Sequence, residues 1–78
     1  MTSEIYEAAI EAIVKGDVSL SAEIAKKGLS EGIDPLELLN QGFIPGIQKV
    51  GDMFDVGTLF IPELILSANA MQTAADII

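Results

Sequence analysis

Three glutamates, Glu4, Glu7 and Glu11, recur at steps of three and four near the N-terminus, Asp52 and Asp55 flank Phe54, and Glu63 follows Pro62. Any acid–base or metal chemistry would have to be built from such carboxylates, because the 78 residues contain no His, no Cys and no Arg. Imidazole proton transfer, thiolate attack, a guanidinium clamp and a histidine metal site are thereby excluded. The glutamate spacing is that of the solvated side of an amphipathic helix. A di-metal carboxylate bundle would need inward-facing Glu-x-x-His pairs, and none exists. Asp52 and Asp55 share one side of a helix, toward water, and Glu63 suits the positive end of a helix dipole. No strand pattern precedes any glycine, which removes a phosphate-binding loop. The chain reads as a non-catalytic module, with no catalytic residue and no metal ligand.

Composition narrows the partners. Twelve acidic residues against four lysines give a formal charge of −8, so neither nucleic acid nor an anionic membrane is an expected partner. The absence of cysteine rules out a disulfide framework. Apolar runs fall far short of the roughly 20 residues of a membrane span, and the acidic N-terminus lacks the pattern of a secretion signal. A soluble cytoplasmic location is expected. With 50% hydrophobic residues the chain suits one folded domain, of a size that buries only about 60% of its unfolded surface.

The residues are positioned by helices. Ser3 is a candidate cap for a first helix with Ile5, Ala9, Ala12 and Ile13 inward, ended by Gly16. Asp17 caps a second helix, whose apolar side uses Leu20 or Ile24 with Ala22, Ala25 and Leu29, and Gly32 closes it. Gly28 within it suggests close helix packing. Asp34-Pro35 starts a third helix, which Pro45 should disturb between Asn40 and Pro45 as a kink or as two abutting helices. Beyond it, Phe43, Ile47, Val50 and Phe54 form one stripe, and Gly57 ends the helix in a left-handed conformation. Pro62 and Glu63 open the last helix, with Ile61, Leu64, Ile65, Ala68, Met71, Ala75 and Ile78 as its apolar positions. No strand alternation is visible. Short connections make this an all-α, antiparallel four-helix bundle with a kinked third helix.

On spacing alone, Phe54 and Phe60 belong in such a core. Yet Phe54, Leu59, Phe60 and Ile61 crowd the Gly57 turn, at the end of the bundle where there is least room to bury them.

The run "GIDPLELLNQGFIPGIQKVGDMFDVGTLFIPELILSANAM", Gly32 to Met71, resembles the helical cap module that precedes the cobalamin-binding domain in corrinoid methyl-carrier proteins and in cobalamin-dependent methionine synthase. The motif Gly51, Phe54, Gly57, Phe60, Pro62, Glu63 carries the likeness. Together with Lys15 to Asp17 and Ala25 to Glu37, it brings the chain nearest to the small corrinoid proteins of methylamine and methanol methyltransferase systems. The resemblance implies that the chain lies over the upper face of the corrin ring and shields the methyl group on cobalt. It places Phe54 and Ile61 at the two positions that meet the ring in the methionine synthase relative, the second a leucine there, and Leu64 where a valine approaches it. Gly57 then serves the turn, Pro62 and Glu63 the helix start, Gly51 a close helix approach, and Phe60 remains core.

Family members continue into a doubly wound, Rossmann-like domain with Asp-x-His-x-x-Gly, whose histidine supplies the lower cobalt ligand. The 78 residues contain no such motif. The resemblance therefore implies a truncated cap that binds cobalamin weakly or not at all alone. Its partners would be a cobalamin-binding domain and methyltransferases, and its uncovered face would favour a homo-oligomer. The alternatives are the cap of a cobalamin-dependent sensor or regulator, whose usual tryptophan and histidine are missing here, and a stand-alone helical interaction module.

Overall fold

The computed structural model describes residues 2–78. Helices α1 (Thr2–Lys15), α2 (Val18–Ser30), α3 (Pro35–Leu38), α4 (Ile44–Asp55) and α5 (Ile61–Ile77) follow in order, with a π-helical segment, Leu39–Phe43, joining α3 to α4. Counting α3 through α4 as one interrupted rod gives four helices, and no strand occurs among the described residues. The bundle measures 37 × 19 × 16 Å.

Local chemistry sets the boundaries. Asp17 accepts the Leu20 N–H at 3.0 Å, and Asp34 accepts the Leu36 N–H at 2.8 Å with Pro35 just inside the helix; each satisfies a donor that a helix start leaves free. Helices α1, α2 and α4 end alike, with a glycine at positive φ: Gly16, Gly32 and Gly57. At the last, Gly57 N–H reaches the Phe54 carbonyl (3.1 Å) and Thr58 N–H the Met53 carbonyl (2.8 Å). That is a Schellman motif, whose left-handed residue glycine adopts without a Cβ penalty. Ser3 falls inside α1 rather than capping it, because the helix already begins at Thr2.

The disturbance expected before Pro45 is the π segment. Ile44 N–H donates to the Leu39 carbonyl five residues back, which fits an extra residue into the helix just ahead of a proline with no proton to donate. The shift also sets Gly42 and Gly46 against α1. A Cβ on Gly42 would lie 3.0 Å from the Ala9 Cβ, and one on Gly46 2.9 Å from the Ile13 Cβ. Position numbers rise together in the two helices, so α1 and α4 run in the same direction and nearly touch. Gly28 makes a similar approach, 2.7 Å from a Leu38 methyl. Gly51 does not: it is exposed, with nothing near its absent Cβ. Against α1 the close approaches belong to Gly42 and Gly46, one turn apart.

The core holds Ile5, Ala9, Ala12, Ile13, Ala25, Leu38, Phe43, Val50, Leu59, Ala70 and Ala74. Helix α5 departs from its expected face. It buries Ser67, Ala70 and Ala74, while Ile61, Ile65, Ala68 and Ala75 are exposed. The buried face is turned by roughly 100°, one residue's rotation, because small residues let α5 lie close to α2. There the Ser21 hydroxyl donates to the Ala70 carbonyl at 2.8 Å.

Candidate functional site

Gly16 fixes which elements share an end. Its missing Cβ would meet the Leu66 Cβ at 2.8 Å, so the α1–α2 turn lies against the first turns of α5. The end of α4 joins them through the Gly57 turn. Of the eight large apolar side chains that the described residues expose, Val18, Phe54, Val56, Phe60, Ile61, Ile65 and Leu66 are at this end, and only Leu36 is elsewhere.

The three residues assigned to ring contact are all here, with different exposure. Phe54 is 38% exposed on the last turn of α4, and Ile61 is 62% exposed at the first position of α5. Leu64 shares the side of Ile61 and is half-buried, packed against the core. Phe60 is corrected outright: it is 71% exposed. It occupies the N-cap position of α5 in extended backbone, which turns its side chain away from the bundle, and Leu59, 7% exposed, fills the core in its place. The start of α5 is pinned by the Glu63 carboxylate, which accepts the Phe60 N–H at 3.0 Å.

Spacing missed Val56, Ile65 and Leu66. For Ile65 and Leu66 the signal is that Ile61, Leu64, Ile65 and Leu66 spread over more of the first turns of α5 than one buried face can take; Val56, the C-cap residue of α4, carries no such signal.

Charge at this end is negative. Asp17, Asp52, Asp55 and Glu63 are exposed. The nearby Lys15 ammonium is held by Glu11 at 2.8 Å, and that hydrogen bond and charge keep the Glu11 carboxyl below the ordinary carboxylate range. Two shallow grooves border α1: one of about 320 Å³ between α1 and α4, running from Glu7 to Lys15 and Lys49, and one of about 250 Å³ between α1 and α2, lined by Glu4, Ile5, Ile24 and Lys27 among others. Among the described residues no three His, Cys, Asp or Glu are grouped to hold a metal, and no helix is long and apolar enough to cross a membrane.

Comparison with known proteins identifies the family to which this helical bundle belongs. The family model described as "B12 binding domain" matches residues 5–78, and the chain belongs to that family. It is 44% identical over 75 residues to trimethylamine corrinoid protein 1 of Methanosarcina acetivorans, covering 96% of this chain and 35% of the relative. It is 33% identical to monomethylamine corrinoid protein 1 of Methanosarcina mazei, over 96% of this chain and 34% of that one. The monomethylamine corrinoid protein of Methanosarcina barkeri superposes with a TM-score of 0.95 at 30% identity, over 99% of this chain and 36% of that one. The chain thus spans about a third of the length of these relatives.

Proposed function

We propose that the chain is the cap module of a corrinoid methyl carrier, with no catalysis of its own, whose apolar end covers the upper, methyl-bearing face of cobalamin. The observation that supports this most directly is the gathering of seven exposed bulky apolar groups at one end. The surface fits the group it would face. A methyl–cobalt bond and a reduced, nucleophilic cobalt call for a dry lid without protons to give or ligands to compete, and Phe54, Ile61 and Leu64 offer only hydrocarbon. The chain has no imidazole to serve as a lower ligand. The remaining contacts to the cofactor are assigned to a Rossmann-like cobalamin-binding domain outside these 78 residues, and the methyl group's source and destination to partner methyltransferases. Left uncovered, the same end is where copies of the chain would meet.

Titrating the 15N-labelled chain with methylcobalamin tests the assignment. Resonance shifts should centre on Phe54, Ile61 and Leu64, with an affinity weaker than about micromolar. Shifts spread along the α1–α4 groove would remove the lid assignment. Micromolar or tighter binding would instead overturn the placement of most cofactor contacts in a second domain.

A further inference from the structure

Phe54 lies on the ridge by which α4 packs against α1. From Gly42, steps of four run through Gly46 and Val50 to Phe54, on adjacent turns of one helix ridge. The first members are pressed onto α1: a Cβ on Gly42 would meet the Ala9 Cβ at 3.0 Å, and one on Gly46 would meet the Ile13 Cβ at 2.9 Å and the Ile10 Cα and carbonyl oxygen at 3.2 and 3.3 Å. Val50 is fully buried, and Phe54 is the first of the row to be exposed. The reason is length. Helix α1 ends at Lys15, and at the offset that pairs Gly46 with Ile13, Phe54 falls about 9 Å past that end. The phenylalanine stands on an overhang whose direction is fixed two turns back.

The elements on either side are held separately. Upstream, Leu38 fills the space that a Cβ on Gly28 would need, and the π turn, with the Ile44 N–H donating to the Leu39 carbonyl, takes up the difference in phase between α3 and α4. Downstream, α5 is tied by the Ser21 hydroxyl on the Ala70 carbonyl and by the approach of Leu66 to Gly16. We infer that Gly46 is the positioning residue for Phe54: by letting the α4 backbone lie on Ile10 and Ile13, it sets where Phe54 stands relative to Ile61 and Leu64. The inference rests on the lid reading only for what Phe54 faces.

Gly46→Ala tests this in the 15N-labelled chain, first without cofactor. Two of the three atoms nearest the new methyl belong to the α1 backbone, so α4 must lift off α1. Residual dipolar couplings and α1–α4 NOEs should show α4 displaced while α2 and α5 keep their mutual orientation. Methylcobalamin should then lose its shifts at Phe54 and keep those at Ile61 and Leu64. Gly42→Ala, the milder intrusion, should act in the same direction, and adding Ala9→Gly, which removes the opposing Cβ, should restore both readouts. General destabilisation would not be reversed in this way, because a second glycine in a helix costs stability. If Gly46→Ala does not fold, this pair decides alone. Gly51→Ala, closer to Phe54 but facing open space, should change neither readout. An α4 that stays in place in Gly46→Ala, Phe54 shifts that survive its displacement, or a Gly51→Ala as disruptive as Gly42→Ala would each overturn the positioning role. Absence of Phe54 shifts in the unaltered chain would instead remove the lid reading, while the couplings, read without cofactor, still decide whether Gly46 sets the place of Phe54.

Discussion

The waist of the bundle and its α4–α5 end are built on opposite rules. At the waist the residues are small: Gly42 and Gly46 meet α1, and Ser21 and Ala70 meet across α2 and α5. At the end they are large and uncovered. Helix α5 contains the contrast within itself, burying Ser67, Ala70 and Ala74 while exposing Ile61, Ile65 and Leu66. Each bulky side chain left in water forgoes about 1.5–3 kcal/mol that burial would supply. In a domain this small such an arrangement does not serve its own stability. The waist holds the chain together with close backbones, and that frees the large side chains for another surface.

The widest separation between the two regions should come from their phenylalanines. Phe43 is fully buried and the largest side chain of the core, so Phe43→Ala should cost about 3–5 kcal/mol and leave little folded protein at room temperature. Phe60→Ala should change stability by no more than about 0.5 kcal/mol. Urea titration followed by circular dichroism measures both. A loss of more than about 1.5 kcal/mol in Phe60→Ala would mean that the end contributes to the core after all.

A second test stays at the waist and reverses sign. Ser21 and Ser67 are both buried, but only Ser21 has a partner; the Ser67 hydroxyl, on the same face of α5 as Ala70, has none. Leaving such a group dry costs about 1–3 kcal/mol. Ser67→Ala should therefore stabilise the chain by about 1 kcal/mol, and Ser21→Ala should destabilise it by a similar amount. A destabilised Ser67→Ala in thermal melts would show that the hydroxyl has found water or a carbonyl in solution.

These contrasts also mark what the sequence could disclose. Asp17, Asp34-Pro35 and Gly57 act on donors and carbonyls within a few residues, so their roles were legible from spacing. The crowding around the Gly57 turn was legible too, because too many bulky groups met at one corner. Which of Leu59 and Phe60 turns inward was not, since it depends on where α5 begins its first turn against the core. The face of α5 was hidden for a related reason: bulky residues mark one side of its first turns, but small ones, Ser67, Ala70 and Ala74, are the side that packs, because α2 lies close there. Gly51 and Gly46 look alike in a sequence. Only the π segment, by setting the phase of α4, decides that Gly46 meets Ile13 while Gly51 meets nothing.

The smallest effect belongs to the ion pair of Glu11 with Lys15. The hydrogen bond and charge of Lys15 lower the Glu11 pKa, and the same contact raises that of Lys15. A lowered carboxyl favours the fold above its ordinary pKa, and that share is lost as pH falls through the folded-state value. A raised ammonium favours the fold below the ordinary lysine pKa, and that share is lost as pH rises through its folded-state value. Both side chains are largely exposed, so water and salt screen the pair at either extreme. Glu11→Gln should leave the thermal midpoint at neutral pH unchanged within error. Its midpoint should also be insensitive to added salt. A clear drop in midpoint, restored by Glu11→Asp, would assign the pair a structural role at the Gly16 turn, where the waist meets the apolar end.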